Sequence, residues 1–234
     1  MGYGIEWEYT TAAPIRRGSD SGVLTVTHLS PQPRRRLLVA SHNKGKVAEY
    51  AELLGDMGVA WLTLDEAGVA DDVAETEDTF RGNATLKATA YARATGLLTL
   101  ADDSGLEVDA LGGQPGVYSA RYGGPGTTAV DRYQLLLRNL AGVPVARRTA
   151  RFHCVIALAA PDGALLGTAD GVCEGLITGA PAGEGGFGYD PVFLLPERGL
   201  TMAQLPVAEK NRISHRARAA AAIAPLLRRV LAEG

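Results

Sequence analysis

Cysteine is almost missing from this chain. Cys154 and Cys173 are the only two in 234 residues, and both sit in apolar runs, "FHCVIAL" and "DGVCEGL". Neither has the C-x-x-C spacing of a zinc or redox site, so both are expected to be core thiols of a protein from a reducing compartment. Long apolar runs are missing too: none approaches the roughly 18 unbroken residues that a membrane span requires. The opening "MGYGIEWEYTTAAPIRRGSDSG" lacks the basic start and apolar block of a signal peptide, and a cytoplasmic protein is expected. There is no excess of one charge, with 23 basic against 26 acidic residues and a formal net charge of −3. That balance gives no electrostatic case for binding duplex nucleic acid. What is present is apolar substance: 46% of the residues are hydrophobic, enough for one large domain or two small lobes with a real core.

Residues 1–35 mix Gly, Thr, Ser and Pro, end in "SPQPRRR", and read as a flexible N-terminal extension. The run Arg34, Arg35, Arg36 is a short solvated flank by default, with polyphosphate or RNA contact as the sharper reading. From residue 37 the pattern tightens. "LLVAS" reads as a buried strand, "NKGKVAEYAELLGDMG" as a glycine-closed helix with Val47, Ala51 and Leu54 on one face, and "AWLTL" as a strand. Asp78 or Thr79 is placed to cap a helix through "FRGNATLKATAYARATG". "LLTLA" then leads as a strand into "DDSG", read as a turn. A helix over "TTAVDRYQLLLRNLAG" precedes a long hairpin turning at Pro161-Asp162-Gly163, and "DPVFLLP" adds a strand. The C-terminal helix has Ser214 as N-cap, and Pro225 is expected to kink or divide it. The order βαβαβ, α, β-hairpin predicts an α/β fold with a mixed sheet and flanking helices.

Several stretches carry chemistry. In "ASHNKGKV" a strand runs through a polar, glycine-containing turn into a helix, which is anion-binding geometry, with Lys44 and Lys46 adding charge. It is not a Walker A loop, because Ala40 and Val47 stand where that loop needs Gly and Ser or Thr. The plainer reading is an ordinary cap by Asn43. "GEGGFG" satisfies G-x-G-x-x-G, yet "YDPVF" follows where a dinucleotide fold needs a helix, so the Rossmann reading fails. Its glycines and its aromatic neighbours still suit a flat ring approaching backbone. "EKNRISHR" sets Lys210, His215 and Arg216 about a helix N-terminus, opposing the dipole, a conflict that a bound anion would resolve. Glu75 and Glu77 precede a helix on which Asn83 and Lys87 lie four apart and share a face. Asp102 and Asp103 end an apolar run, either as a solvated turn or as holders of something cationic.

Together, "SHNKGK", "ETEDTFRGNATLKA", "ADDSGLEVDALGGQPGVYSARYGG", "ARFHC", "GEGGFGYDPVF" and "EKNRISHR", in that order, resemble the inosine triphosphate pyrophosphatase family. The resemblance covers residues 37 to 232 and makes 36–234 the catalytic domain. It implies an elongated mixed α/β fold of two lobes around a central cleft, usually a homodimer. The implied reaction converts non-standard purine nucleoside triphosphates (ITP, dITP, XTP) and water to monophosphate and pyrophosphate, with Mg2+. By motif, the triphosphate loop is Ser41, His42, Asn43, Lys44, Gly45 and Lys46; Glu75 and Asp103 are the metal carboxylates. Asp102 or Asp103 is the general base and Lys87 a helix lysine near the phosphates. Ser104, Phe187, Gly188, Tyr189, Asp190, Lys210, His215 and Arg216 are substrate contacts. His42 departs from the family, standing where many members have glycine. The alternatives are a related pyrophosphatase with another base preference, or a catalytically silent nucleotide-binding module.

Overall fold

The computed structural model describes residues 34–233, so nearly all of the expected N-terminal extension lies outside the described residues. Seven strands form one sheet in the order β2-β1-β3-β4-β5-β6-β7. β1 (Arg35–Val39) runs parallel to β2 (Val59–Leu62) and β3 (Leu98–Val108). The remaining pairs, through β4 (Thr149–Ala159), β5 (Leu165–Ile177), β6 (Phe193–Leu195) and β7 (Leu200–Thr201), are antiparallel. This is the mixed sheet that the order of elements predicts. The arginine run enters it: Arg35 opens β1 and donates from its Nη1 to the Leu231 carbonyl at 2.9 Å.

Helices cover both faces of the sheet. On one face, α1 (Lys44–Leu54) and α5 (His215–Glu233) bury Val47, Tyr50, Leu54, Ala219 and Ile223 against Leu100, Cys154 and Ile156. On the other, α2 (Phe80–Thr95) lays Phe80, Ala84, Ala88 and Ala92 on Ala101, Val155 and Ala157. Strand side chains alternate between faces, so even-numbered β3 residues look toward α1 and α5 and odd-numbered ones toward α2. Farther along the even face a second core gathers Leu106, Val108, Phe152, Cys173 and Ile177 with Leu136 of α3 (Ala129–Asn139). Asp102 and Ser104 fall between these two cores.

Three local expectations change. "DDSG" is no turn: β3 runs through it, paired antiparallel with β4, Asp102 opposite Ile156 and Asp103 opposite Val155. Pairing and cationic partners on both faces override the turn preference of Asp, Ser and Gly. α5 continues unbroken through Pro225. The proline and Ala221, whose carbonyl loses its partner, are both on the exposed side, where water can satisfy that carbonyl. On α1 the core face is Val47, Tyr50 and Leu54, with Ala51 only partly buried. The caps fall where expected: Asn43, Thr79 and Ser214 each accept first-turn N–H groups of their helices.

Close packing fixes two of the elements that carry the site. A Cβ on Gly171 of β5 would lie 2.1 Å from the His215 carbonyl, so α5 rests directly on that strand. A Cβ on Gly105 would meet the Gly116 carbonyl and Ser119 Oγ, each at 2.5 Å. Glycine here lets the 3-10 helix Gly116–Arg121 seat against β3, where Ser119 Oγ accepts the Leu106 N–H at 2.8 Å. Gly105→Ala is therefore expected to cost about 1–3 kcal/mol through overpacking. In a chain of this size that lowers the melting temperature by roughly 2–4 °C per kcal/mol, readable in a thermal melt.

Candidate active site

The adjacent aspartates do different things because β3 turns them to opposite faces. Asp102 is buried on the α1/α5 side, with Lys46 Nζ 2.6 Å from Oδ1 and Arg216 Nε 3.7 Å from Oδ2. Burial alone would raise its carboxyl, but Lys46 and Arg216 outweigh burial and hold it well below the usual range. Asp103 looks toward α2, where Asn83 Nδ2 donates to its Oδ2 at 3.0 Å and the Ser104 N–H donates to its Oδ1 at 2.9 Å. Burial raises the Asp103 carboxyl, and Lys87 at 3.9 Å only partly opposes this. One carboxylate is a committed counter-ion; the other keeps affinity for a proton.

Around Asp103 the acidic segment before α2 closes in. Lys87 donates to Glu75 Oε1 at 2.6 Å, and Arg121 Nη1 lies 3.2 Å from Oε2. Burial would raise Glu75, and the two cations bring it below its ordinary value. Asn83 is fully buried and pins this segment to the strand, since it receives the Glu77 N–H and donates to the Glu77 carbonyl. Glu75, Lys87 and Arg121 line a cavity of about 350 Å³ together with Ser41 and His42 of the loop before α1. Among the described residues no three His, Cys, Asp or Glu side chains converge as a ready metal cage. Two carboxylate sources of hard oxygen beside a phosphate-sized cavity fit magnesium, which takes one or two carboxylates, keeps waters and shares substrate phosphates.

The loop before α1 is only partly free for an anion. Asn43 Oδ1 accepts the Gly45 and Lys46 N–H groups, and Lys46 is engaged by Asp102, so the plainer capping reading holds beside the functional one. Lys44 is exposed at the first helical position. His42, in the glycine position of the motif, ties the loop outward: Nδ1 is 2.6 Å from Asp65 and Nε2 3.5 Å from Asp72.

On the Asp102 face lies the aromatic end. A second cavity of about 350 Å³ is lined by Ser104, Phe152, Phe187, Gly188, Tyr189 and His215, among others. Of the two rings expected as stacking faces, Phe187 is 55% exposed, whereas Tyr189 is 4% exposed and donates its hydroxyl to the Ser119 carbonyl. Asp190 is buried, accepts the Phe187 N–H at 2.8 Å and pairs with Lys210 at 2.5 Å, so it shapes the glycine loop from within. Lys210 Nζ sits 4.3 Å from the Phe187 centroid. His215 stacks on Phe152 at 4.9 Å; burial, then Arg216 and Lys210, push it down to about 3, so its ring is neutral. The conflict of cations at the α5 N-terminus is met by the protein's own carboxylates: Arg216 Nη1 donates to Glu49 at 2.8 Å besides facing Asp102. Among the described residues, four buried side-chain polar atoms have no hydrogen-bond partner, all in this region: Tyr50 Oη, His215 Nδ1, Arg216 Nε and Asp102 Oδ1, the last ion-paired with Lys46. The sequence reading missed Glu49, Tyr50 and Arg121, and it read Asn83 only as part of a solvated helix face.

Known proteins resemble this chain in sequence and fold. The model of the Ham1 family matches residues 37–226. The chain is 53% identical over 185 residues to the dITP/XTP pyrophosphatase of Geobacillus kaustophilus (strain HTA426), spanning 79% of this chain and 90% of that protein. It is 44% identical over 193 residues to the dITP/XTP pyrophosphatase of Bacillus subtilis (strain 168), spanning 82% and 97%. Among solved structures, a HAM1 protein from Coxiella burnetii superposes with a TM-score of 0.76 at 42% identity, over 86% of this chain and all of that one. With the family model matching residues 37–226 and relatives this similar over most of their length, the chain belongs to the Ham1 family.

Proposed function

We propose that this protein is a nucleoside triphosphate pyrophosphatase that hydrolyses non-standard purine nucleotides (ITP, dITP, XTP) to the monophosphate and pyrophosphate, and so cleanses the nucleotide pool. The observation that carries the reading is the convergence of Glu75, Lys87 and Asp103 beside a cavity entered from the α1 loop. In this reading residues 36–234 are the catalytic domain, and the cleft lies between the two cores that share β3, β4 and β5. Asp103 is the base: its carboxylate, aimed by Asn83 and the Ser104 N–H, takes the proton of a water that attacks the α-phosphorus. Glu75 and Asp103 would hold magnesium, which supplies neutralising charge for the phosphates and Lewis acidity toward the attacking water. Lys87 and Lys44 face the polyanion, and the bond that breaks is the one to the bridging oxygen, so pyrophosphate departs. Phe187 stacks the base, and the neutral His215 and Arg216 face its O6 acceptor. Buried donors without partners, Arg216 Nε among them, are what a base-reading wall would leave in the free protein.

A homodimer in the cytoplasm completes the proposal; among the described residues no helix is long and apolar enough to cross a membrane. The test is a panel of ITP, XTP, dITP, ATP, GTP and dUTP with magnesium, measuring pyrophosphate and orthophosphate separately. Pyrophosphate from ITP and XTP, abolished by chelation, is expected. Orthophosphate as the product, or a preference for dUTP, would sink the reading.

A further inference from the structure

We propose that Arg121 is a substrate-contacting residue whose guanidinium exchanges Glu75 for the outer phosphates of the nucleotide and then holds the departing pyrophosphate. The inference rests on the pyrophosphatase reading and adds a residue to it.

Several features single this arginine out. It lines the same cavity as Ser41, Glu75 and Lys87, on the α2 face where Asp103 stands. Its stem is anchored. The 3-10 helix it ends is held to β3 through Ser119, to the glycine loop through the Tyr189 hydroxyl on the Ser119 carbonyl, and at Gly105 by contact too close for any side chain. The guanidinium stands 5.0 Å from the Tyr118 centroid, which supports its plane without consuming its N–H donors. The head, by contrast, is loosely engaged. The side chain is 42% exposed and meets Glu75 at 3.2 Å, a pair of the kind that adds little stability and is readily exchanged.

Neighbouring cations are held differently. Lys46 is committed to the buried Asp102 and Lys210 to the buried Asp190. Glu75 keeps a partner when Arg121 leaves, because Lys87 remains on its other oxygen at 2.6 Å. Glu75 and Asp103 would hold a divalent cation, whose positive charge would disfavour the guanidinium on Glu75 and favour it on the polyphosphate. The fork of Arg121 then finds two phosphate oxygens in place of one carboxylate oxygen, a bidentate match that a lysine cannot reproduce.

The experiment is calorimetric titration of wild type, Arg121→Ala and Arg121→Lys with inorganic pyrophosphate in EDTA and again in magnesium, with separate titrations of magnesium alone and of IMP as controls. Hydrogen bonds to charged groups of this kind are worth about tenfold or more in affinity. Arg121→Ala is expected to lose that much pyrophosphate affinity and to keep IMP binding; Arg121→Lys falls between, and the KM for ITP rises in step. If Arg121 only steadies Glu75, magnesium affinity moves while pyrophosphate affinity stays, and the proposal is overturned. An unchanged pyrophosphate titration in both variants overturns it equally. Failure of wild type to release pyrophosphate from ITP would instead remove the functional reading, since binding of inorganic pyrophosphate does not require turnover.

Discussion

Asp103→Asn is expected to lower kcat for ITP by about a hundredfold or more while the protein still melts as a folded domain. The amide keeps the shape of the carboxylate but has a single acceptor oxygen, so it retains the bond from Asn83 or the one from the Ser104 N–H and sets its NH2 against the other donor, a modest cost beside the core that holds β3 to α2. What disappears is a charge for the metal and a site for the proton. Asparagine can do neither, and raising magnesium would restore only part of the loss. Steady-state kinetics at saturating magnesium beside a thermal melt decide the matter. A variant with near-wild-type turnover would move the base elsewhere, and one that unfolds would make Asp103 structural.

The second large effect belongs to the other face. Arg216→Ala removes a cation that is nearly buried against Glu49 and Asp102, leaving Glu49 without its partner and Asp102 with Lys46 alone. Breaking a buried pair from one side costs about 3–5 kcal/mol, so a marked drop in melting temperature is expected. The same variant is expected to shrink the ratio of kcat/KM for ITP over ATP, mostly by slowing ITP. Hypoxanthine offers an O6 acceptor to the donors of Arg216 and His215, whereas adenine sets an N6 donor against them. Sites built around such a group reject the analogue lacking it by up to about 10⁴. Arg216→Lys keeps the charge and loses the planar fork, so it separates the two effects: stability recovers in part and selectivity does not. An unchanged ITP-to-ATP ratio in both variants would remove Arg216 from base recognition.

Most of this architecture was open to reading in the chain because it is local. Apolar periodicity, capping residues and the Pro161-Asp162-Gly163 turn marked the helices, most of the strands and the long hairpin. What stayed hidden depends on partners far away in sequence. "DDSG" reads as a turn from its own composition, and only pairing with β4 and cations from α1, α2 and α5 make it strand. The spacing of Asn83 and Lys87 was visible, but not that Asn83 clasps both Asp103 and the Glu77 backbone. Arg121 is one arginine inside "YSARYGG", and nothing in that string says it meets Glu75, 46 residues earlier. Glu49 looked like an ordinary helix-surface acid until α5 brought Arg216 to it.

Because Asp102 and Asp103 are consecutive, the two halves of the enzyme's task are separated by the thickness of one strand, not by distance along it. In the proposed reading, base recognition draws on α5 and the chemistry on α2. In that reading, point substitutions on α5 can retune which purine is accepted without touching the groups around Asp103. Insertions and deletions have no such freedom. A single added or lost residue in the first half of β3 would turn each aspartate to the wrong side, giving the counter-ion to α2 and the base to Arg216. This protein can thus drift in taste one residue at a time, while the length of β3 before Asp102 is fixed.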